Sequence, residues 1–252
     1  MKVCVLSSGS KGNCTYLETD KTRSLIDVGV SCLYVEKALR DIGVEPSTIK
    51  QVFITHTHSD HVSGLRVFLK KYNPTVIFTE KMDEELGMLI DKSIYIDKEY
   101  EIEDLSVLAI KTSHDVADSN GYVFKSLNKS LMYMTDTGYI NVKNFKKLKN
   151  HNLYILESNH DVEMLMNGKY PHHLKMRILG DKGHLSNKDS AYYLSQFTTD
   201  NTKEVVLAHL SEDNNTPSKA LDEFYKAYEK IGKKAPKVSV AKPKKRMDVI
   251  NV

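Results

Sequence analysis

At 252 residues the chain is long enough for one large α/β domain or two small ones, with a substantial buried core. Charged residues at 27% and hydrophobic residues at 40% exclude a disordered chain, and the longest apolar runs, such as Val205-Val206-Leu207-Ala208, are strand-sized against the ~20 residues of a membrane span. The net charge of +3 does not by itself establish a polyanion partner. The charge is uneven, however, with one basic run at Lys143, Lys146, Lys147 and Lys149 and another at Lys233, Lys234, Lys237, Lys242, Lys244, Lys245 and Arg246. Each run reads equally as a solvated face or as a surface for phosphates.

In chain order, Met1-Lys2-Val3-Cys4-Val5-Leu6 has no apolar leader with a cleavage site, which predicts a cytoplasmic chain. Cys4, Cys14 and Cys32 are odd in number and contain no C-x-x-C, so neither a disulfide framework nor a thiolate zinc site is expected. Val3 to Leu6 and Thr15 to Glu18 read as strands around a turn from Ser7 to Asn13, whose small residues and backbone N–H groups suit a hairpin or a bound oxyanion. After a strand from Leu25 to Asp27, Ser31 caps a helix with apolar Leu33, Val35, Ala38, Leu39 and Ile42, ended by Gly43. A strand from Gln51 to Thr55 precedes a helix from Val62 to Tyr72, a strand from Val76 to Phe78 and a helix from Glu80 to Ile90. Short strands follow at Ile94 to Ile96, Val107 to Ile110, Tyr122 to Phe124, Leu131 to Met134 and Leu153 to Leu156. Helices are expected at Val142 to Leu148, Val162 to about Met166, His172 to Leu179 and Lys188 to Phe197, the last capped by Asn187. Val205 to Ala208 is the last core strand; Thr216-Pro217 opens a helix to Ile231, and only Val238 to Val240 looks strand-like in the lysine-rich end.

The stretch Thr55-His56-Thr57-His58-Ser59-Asp60-His61 concentrates three imidazoles and a carboxylate directly after an apolar strand. Such hydration-hungry groups point to metal ligation rather than packing. His56 and His58 leave the strand two apart, so one turn can aim both at one cation; Asp60 and His61 approach a second from another direction. Further donors stand just beyond strand ends at His114, Asp136, Glu157 and His209. At one rim of a sheet sandwich these would converge on the histidine loop. The set of imidazoles and carboxylates suits zinc, manganese, iron or cobalt.

The loop resembles the signature of the metallo-β-lactamase superfamily, and the likeness is closest to its YycJ/WalJ/VicX family. The closer match is carried by Ser8-Gly9-Ser10-Lys11-Gly12-Asn13, Glu157-Ser158-Asn159-His160-Asp161, Tyr170-Pro171, Gly183-His184-Leu185-Ser186-Asn187 and His209-Leu210-Ser211. The resemblance implies a single-domain, four-layer αββα metallo-β-lactamase-like sandwich over residues 1–232, followed by a basic C-terminal strand and tail over 233–252. It also implies two divalent metal ions, zinc or manganese ahead of iron or cobalt. His56, His58 and His114 would hold the first, and Asp60, His61 and His209 the second, with Asp136 bridging. The Ser8–Asn13 turn would lie close to them. A water shared by two such ions, ~3.5 to 4 Å apart, has its pKa lowered towards ~7 and becomes the nucleophile.

Gly183-His184-Leu185-Ser186 further resembles the histidine loop of tRNA 3′-processing endonucleases. This implies His184 as general acid with Glu157 holding it protonated, and Asp60 counts with them among the catalytic residues. The other reading of His184 is a residue that only fixes the loop before the next helix. His160 could line a substrate channel or make a structural hydrogen bond, His172 and His173 receive no role, and Asn214-Asn215 are candidates for ordering His209.

The implied activity is a metal-dependent phosphodiesterase, a 5′ to 3′ exonuclease on double-stranded DNA. Only 20 residues separate Asp136 from Glu157. That leaves no room for the large inserted domain of ribonuclease J-like enzymes, and no long Gly/Pro-rich arm for tRNA is present. The alternatives are a small-molecule hydrolase acting on a lactone or cyclic phosphate ester, and a non-catalytic, metal-stapled regulatory module. DNA is the expected partner as substrate, with no membrane and no obligate protein partner; the oligomeric state stays open.

Overall fold

The computed structural model describes residues 1–252, which form two compact units. One comprises Met1–Lys111, Val116–Lys129 and Lys242–Val252, the other Thr112–Asp115 and Ser130–Ala241. The chain leaves and re-enters the first unit, so no linker in the sequence marks the division. No helix is long and apolar enough to cross a membrane.

In the first unit β1 (Lys2–Ser7), β2 (Cys14–Glu18) and β3 (Arg23–Ile26) are antiparallel neighbours. β4 (Gln51–Phe53), β5 (Thr75–Phe78) and β6 (Ser93–Tyr95) extend the sheet in parallel. Parallel neighbours need crossovers, and these are α1 (Cys32–Arg40), α2 (Ser59–Val62) with α3 (Leu65–Tyr72), and α4 (Glu80–Leu86). Ser31 caps α1 as expected, its hydroxyl accepting the Tyr34 N–H, while Cys32, Val35, Ala38 and Leu39 form one buried stripe packed with Val52, Leu65 and Phe68. The helix expected without a break from Val62 to Tyr72 is divided, because the Gly64 N–H turns to the Val28 carbonyl at 2.9 Å. The helix expected to reach Ile90 stops at Leu86, where Gly87 turns left-handed at φ 53°.

An antiparallel meander of β7 (Glu99–Ile102), β8 (Leu105–Lys111) and β9 (Asn120–Ser126) follows in this unit. β7 was not expected: its sequence, Glu-Tyr-Glu-Ile, is half charged and has no fully buried residue. Phe53 of β4 meets Tyr122 and Phe124 of β9 edge-on, with ring centroids 5.8 and 5.0 Å apart, a geometry that adds ~0.5–1.5 kcal/mol to area burial. The Tyr122 hydroxyl donates to the Ile54 carbonyl at 2.6 Å and the Asn120 N–H to the Thr55 carbonyl at 2.8 Å. These bonds fix the chain where it leaves β4 for the histidine loop. The three cysteines are free and buried, and burial pushes the Cys4 and Cys32 thiols up to about 11.

The second unit is built on parallel strands β10 (Lys129–Met134), β11 (Leu153–Glu157), β12 (Glu204–Ala208) and β13 (Lys237–Val240). β11 and β12 are buried along their whole length, as expected of parallel strands covered on both faces. The connections carry α5 (Phe145–Leu148), α6 (Val162–Asn167), α7 (His172–Leu179), α8 (Asn187–Phe197) and α9 (Pro217–Lys230). The cap of α8 is Ser186 rather than Asn187: the Ser186 hydroxyl accepts the Asp189 N–H, while Asn187 is buried and its side-chain Oδ1 accepts from the Ser158 hydroxyl. Asp136 and His209 stand just past the carboxyl ends of β10 and β12, and Glu157 is the last residue of β11. Such strand ends are where parallel α/β sheets place ligands.

The lysine-rich C-terminal region contributes β13 to the second unit and, from Lys242 onward, belongs to the first, where a last strand β14 (Ile250–Asn251) pairs antiparallel with β1.

Candidate metal centre

In the first unit the histidine loop is suspended from Asp27, which is fully buried just past β3 with a left-handed backbone at φ 59°. Its carboxylate accepts the Thr55 N–H and hydroxyl, each at 2.8 Å, and lies 2.7 Å from His61 Nδ1. A ring N–H at Nδ1 leaves Nε2 as the lone-pair nitrogen of His61. That nitrogen is 3.6 Å from the Asp60 carboxylate and 3.0 Å from the Asn13 side-chain amide. Burial raises the Asp27 carboxyl above its usual range, against the opposing charge of His61 and its hydrogen bonds from His61 and Thr55. Asn13 also donates its backbone N–H to the Asp60 carbonyl at 2.8 Å, tying the Ser7–Asn13 turn to the loop. Gly29 completes the cradle, since a Cβ there would fall 1.7 Å from the Asp60 carbonyl oxygen. The result is a tight cluster: the His56 ring centroid lies 4.9 Å from that of His58 and 4.0 Å from that of His61.

In the second unit Glu157 is fully buried and organises its neighbours. One carboxylate oxygen accepts from His184 Nδ1 at 2.7 Å and faces His209 Nδ1 at 3.1 Å; the other accepts the N–H groups of Thr137 and Leu185, both at 3.1 Å. Burial pushes this carboxyl up, but the His184 charge and the hydrogen bonds from His184 and His209 outweigh it and hold it below the usual carboxylate range. Burial would lower His184, and the Glu157 charge and hydrogen bond reverse that, leaving it raised. Asp136 places a carboxylate oxygen 3.4 Å from His209 Nδ1, 3.6 Å from His184 Nδ1 and 4.0 Å from His114 Nε2. His114 Nδ1 faces the Gly183 carbonyl at 3.3 Å, which orients the ring with Nε2 toward Asp136. Donor atoms of Asp136, Glu157, His184 and His209 all lie within 4.8 Å of one another. Asp136 and His209 adopt left-handed backbones, at φ 56° and 54°. Outside glycine such conformations concentrate at functional sites, where the surroundings must hold them.

The structure thus gathers His56, His58, Asp60 and His61 in one unit, and His114, Asp136, Glu157, His184 and His209 in the other. Asn215 does not reach His209 but donates to the carbonyls of Ser158 and Asn159, each at 2.9 Å. Asn159 is what holds the histidine, donating to its carbonyl at 2.9 Å. His160 is buried with no hydrogen-bond partner for its ring nitrogens among the protein atoms, and burial lowers it to about 4. His172 and His173 are exposed in the first turn of α7. Asp27 escaped the sequence reading, although an acid closing the apolar strand Leu25-Ile26 follows the rule that singled out Asp136.

A family profile described as the metallo-β-lactamase superfamily matches residues 8–141. An exodeoxyribonuclease YycJ of Bacillus anthracis is 38% identical over 218 residues, 84% of this chain and 83% of that protein. An exodeoxyribonuclease WalJ of Streptococcus pneumoniae is 36% identical over 223 residues, 85% and 83% of the two chains. This protein belongs to the YycJ/WalJ family of the metallo-β-lactamase superfamily. Its fold class is accordingly αββα, and the crystal structure of YhfI from Bacillus subtilis, a metallo-β-lactamase fold protein, matches 98% of each chain with a TM-score of 0.74 at 14% identity. For a YycJ/WalJ protein, divalent-metal binding suits the donor chemistry: the loop and the strand ends offer imidazoles and carboxylates, and Asp27 and Gly183 orient two of the rings through Nδ1. Asp27→Asn removes the charge that orients His61, and the expected result is a ~10–100-fold loss of divalent-cation affinity, measured by competition with a chromophoric chelator.

Proposed function

We propose that this protein is a metal-dependent exodeoxyribonuclease that hydrolyses double-stranded DNA from 5′ to 3′. What carries the reading is the His184–Glu157 pair, a histidine seated 2.7 Å from a buried carboxylate among carboxylate and imidazole donors. The substrate and polarity rest on the family and on the names of the YycJ and WalJ relatives.

In the superfamily's order, His56, His58 and His114 would hold one cation, Asp60, His61 and His209 would hold a second, and Asp136 would serve both, with zinc or manganese ahead of iron or cobalt. Bound there, divalent cations would neutralise phosphoryl charge and lower the pKa of water enough to supply a nucleophile at neutral pH. The protein's own residues do the rest. His184 binds Glu157 through Nδ1, so Nε2 is the nitrogen left to meet substrate. As the P–O bond breaks, the Nε2 proton passes to the departing strand oxygen, and Glu157 stabilises the ring in its protonated form before transfer. Asp60 acts with these residues as a metal ligand, its main chain fixed by Asn13.

The test is digestion of a duplex labelled at either end, with zinc or manganese present. The expected outcome is early release of the 5′ label as mononucleotide; early release of the 3′ label would overturn the polarity.

A further inference from the structure

Beside the histidine loop, wholly within the first unit, lies a cavity of about 280 Å³ whose lining includes Lys11, Lys244, Ser31, Tyr34 and Ser63 and no acidic residue. Its two lysines come from opposite ends of the chain and are brought together by a specific set of bonds. The Ser7 hydroxyl donates to the Gly12 carbonyl at 2.7 Å and accepts the Lys244 N–H at 3.0 Å. The Ser8 N–H donates to the Lys242 carbonyl at 3.3 Å, and the Met247 N–H to the Val5 carbonyl at 2.9 Å. The basic run Lys242–Arg246 is therefore fastened along the Ser7–Asn13 turn.

The same turn holds Asp60 through Asn13, and Ser63, just beyond α2, donates its hydroxyl to the Gly29 carbonyl at 2.8 Å. The cavity thus adjoins the histidine loop through Gly29, which packs on the Asp60 carbonyl, and Ser63. The Tyr34 hydroxyl is engaged with the Leu6 carbonyl at 2.8 Å, which fixes its ring as a wall. Ser31 accepts the Tyr34 N–H and keeps its own hydrogen to donate. Two ammonium groups, a hydroxyl donor and the absence of any carboxylate favour a multiply charged oxyanion. The volume exceeds that of a bare phosphate and leaves room for the attached sugar.

We propose that Lys11 and Lys244 form a phosphate-binding subsite that takes a phosphoryl group of the nucleic-acid strand, either its 5′-terminal monoester or a backbone diester next to the scissile bond. This rests on the reading of the protein as a nuclease. The sequence left the C-terminal lysines open as solvated or phosphate-binding; the placement of Lys244 in this cavity supports the second for that residue.

The test compares wild type, the double variant Lys11→Gln/Lys244→Gln and a control, Lys146→Gln/Lys147→Gln, whose lysines are exposed on α5 of the other unit.

 

The four lysines exchanged, two in each variant, are all exposed. Digestion of duplexes with a 5′-phosphate or a 5′-hydroxyl is followed, together with hydrolysis of bis(p-nitrophenyl) phosphate, which is too small to need the subsite. The expected result for Lys11→Gln/Lys244→Gln is a rise in KM of roughly tenfold or more, with kcat and the small-diester rate unchanged. A rise confined to the 5′-phosphorylated duplex assigns the terminal monoester, and an equal rise on both assigns a backbone diester. An unchanged KM, or an equal rise in the control, overturns the subsite. If the wild type digests no DNA, the nuclease reading fails separately, and the subsite is then judged by the Kd of chelator-treated protein for a 3′-fluorescein, 5′-phosphorylated duplex. A Kd raised only in Lys11→Gln/Lys244→Gln sustains it, and equal values in all three proteins overturn it.

Discussion

Replacing Asp136 with asparagine is expected to abolish hydrolysis of DNA and of bis(p-nitrophenyl) phosphate alike, and to lower the bound metal. Asp136 is buried just past β10, its carboxylate within 3.4 to 4.0 Å of His209, His184 and His114. As the proposed shared ligand it would serve both cations, so losing its charge would weaken both sites. Metal-centred charge stabilisation contributes several kcal/mol to a hydrolytic transition state, and each ~1.4 kcal/mol is a factor of ten. The expected loss is therefore on the order of 10³-fold or more. Asparagine keeps the side-chain shape and tolerates the left-handed backbone at φ 56° better than alanine would. An unchanged circular dichroism spectrum with depleted metal separates this outcome from unfolding. Full metal content and activity in Asp136→Asn would exclude the residue as a ligand.

His184→Ala separates proton donation from metal binding. General acid catalysis contributes ~10²–10⁴-fold, and kcat on DNA is expected to fall by about that factor while KM and metal content stay near wild type. The diagnostic is the leaving group. A strand alkoxide needs a proton as it departs, whereas p-nitrophenolate leaves without one, so hydrolysis of bis(p-nitrophenyl) phosphate survives the substitution. A residue that merely fixed the loop before α8 would depress both substrates together. Glu157→Gln follows the same pattern on DNA, with an added loss of stability. Its buried carboxylate accepts the Thr137 and Leu185 N–H groups as well as the histidines, and a glutamine cannot accept at both terminal atoms.

Much of this was legible in the sequence because metal chemistry concentrates unusual residue types. The histidine loop, Asp136, Glu157 and His209 were marked by polar groups standing at the ends of apolar strands, and the strands themselves by short runs of buried residues. What escaped was set by tertiary contacts. Gly64 interrupts a helical pattern because its N–H is needed by Val28. β7 carries alternate glutamates and buries no residue fully, so period and composition disagreed. Asn187 had the chemistry of a cap, but its side chain was required by Ser158 and Asn215, and Ser186 took the role. Asp27 shows the limit most directly: its importance lies in being 2.7 Å from a histidine 34 positions along the chain, a pairing that no local spacing announces.

The most direct measurement is digestion of a 5′-labelled duplex by the protein after removal of its metals with a chelator and again after zinc or manganese is restored. No release of label by the stripped protein, and release of labelled mononucleotide after reconstitution, is the expected result. An intact duplex with every metal tested, from a protein that binds those metals, would contradict the assignment of a metal-dependent DNA exonuclease.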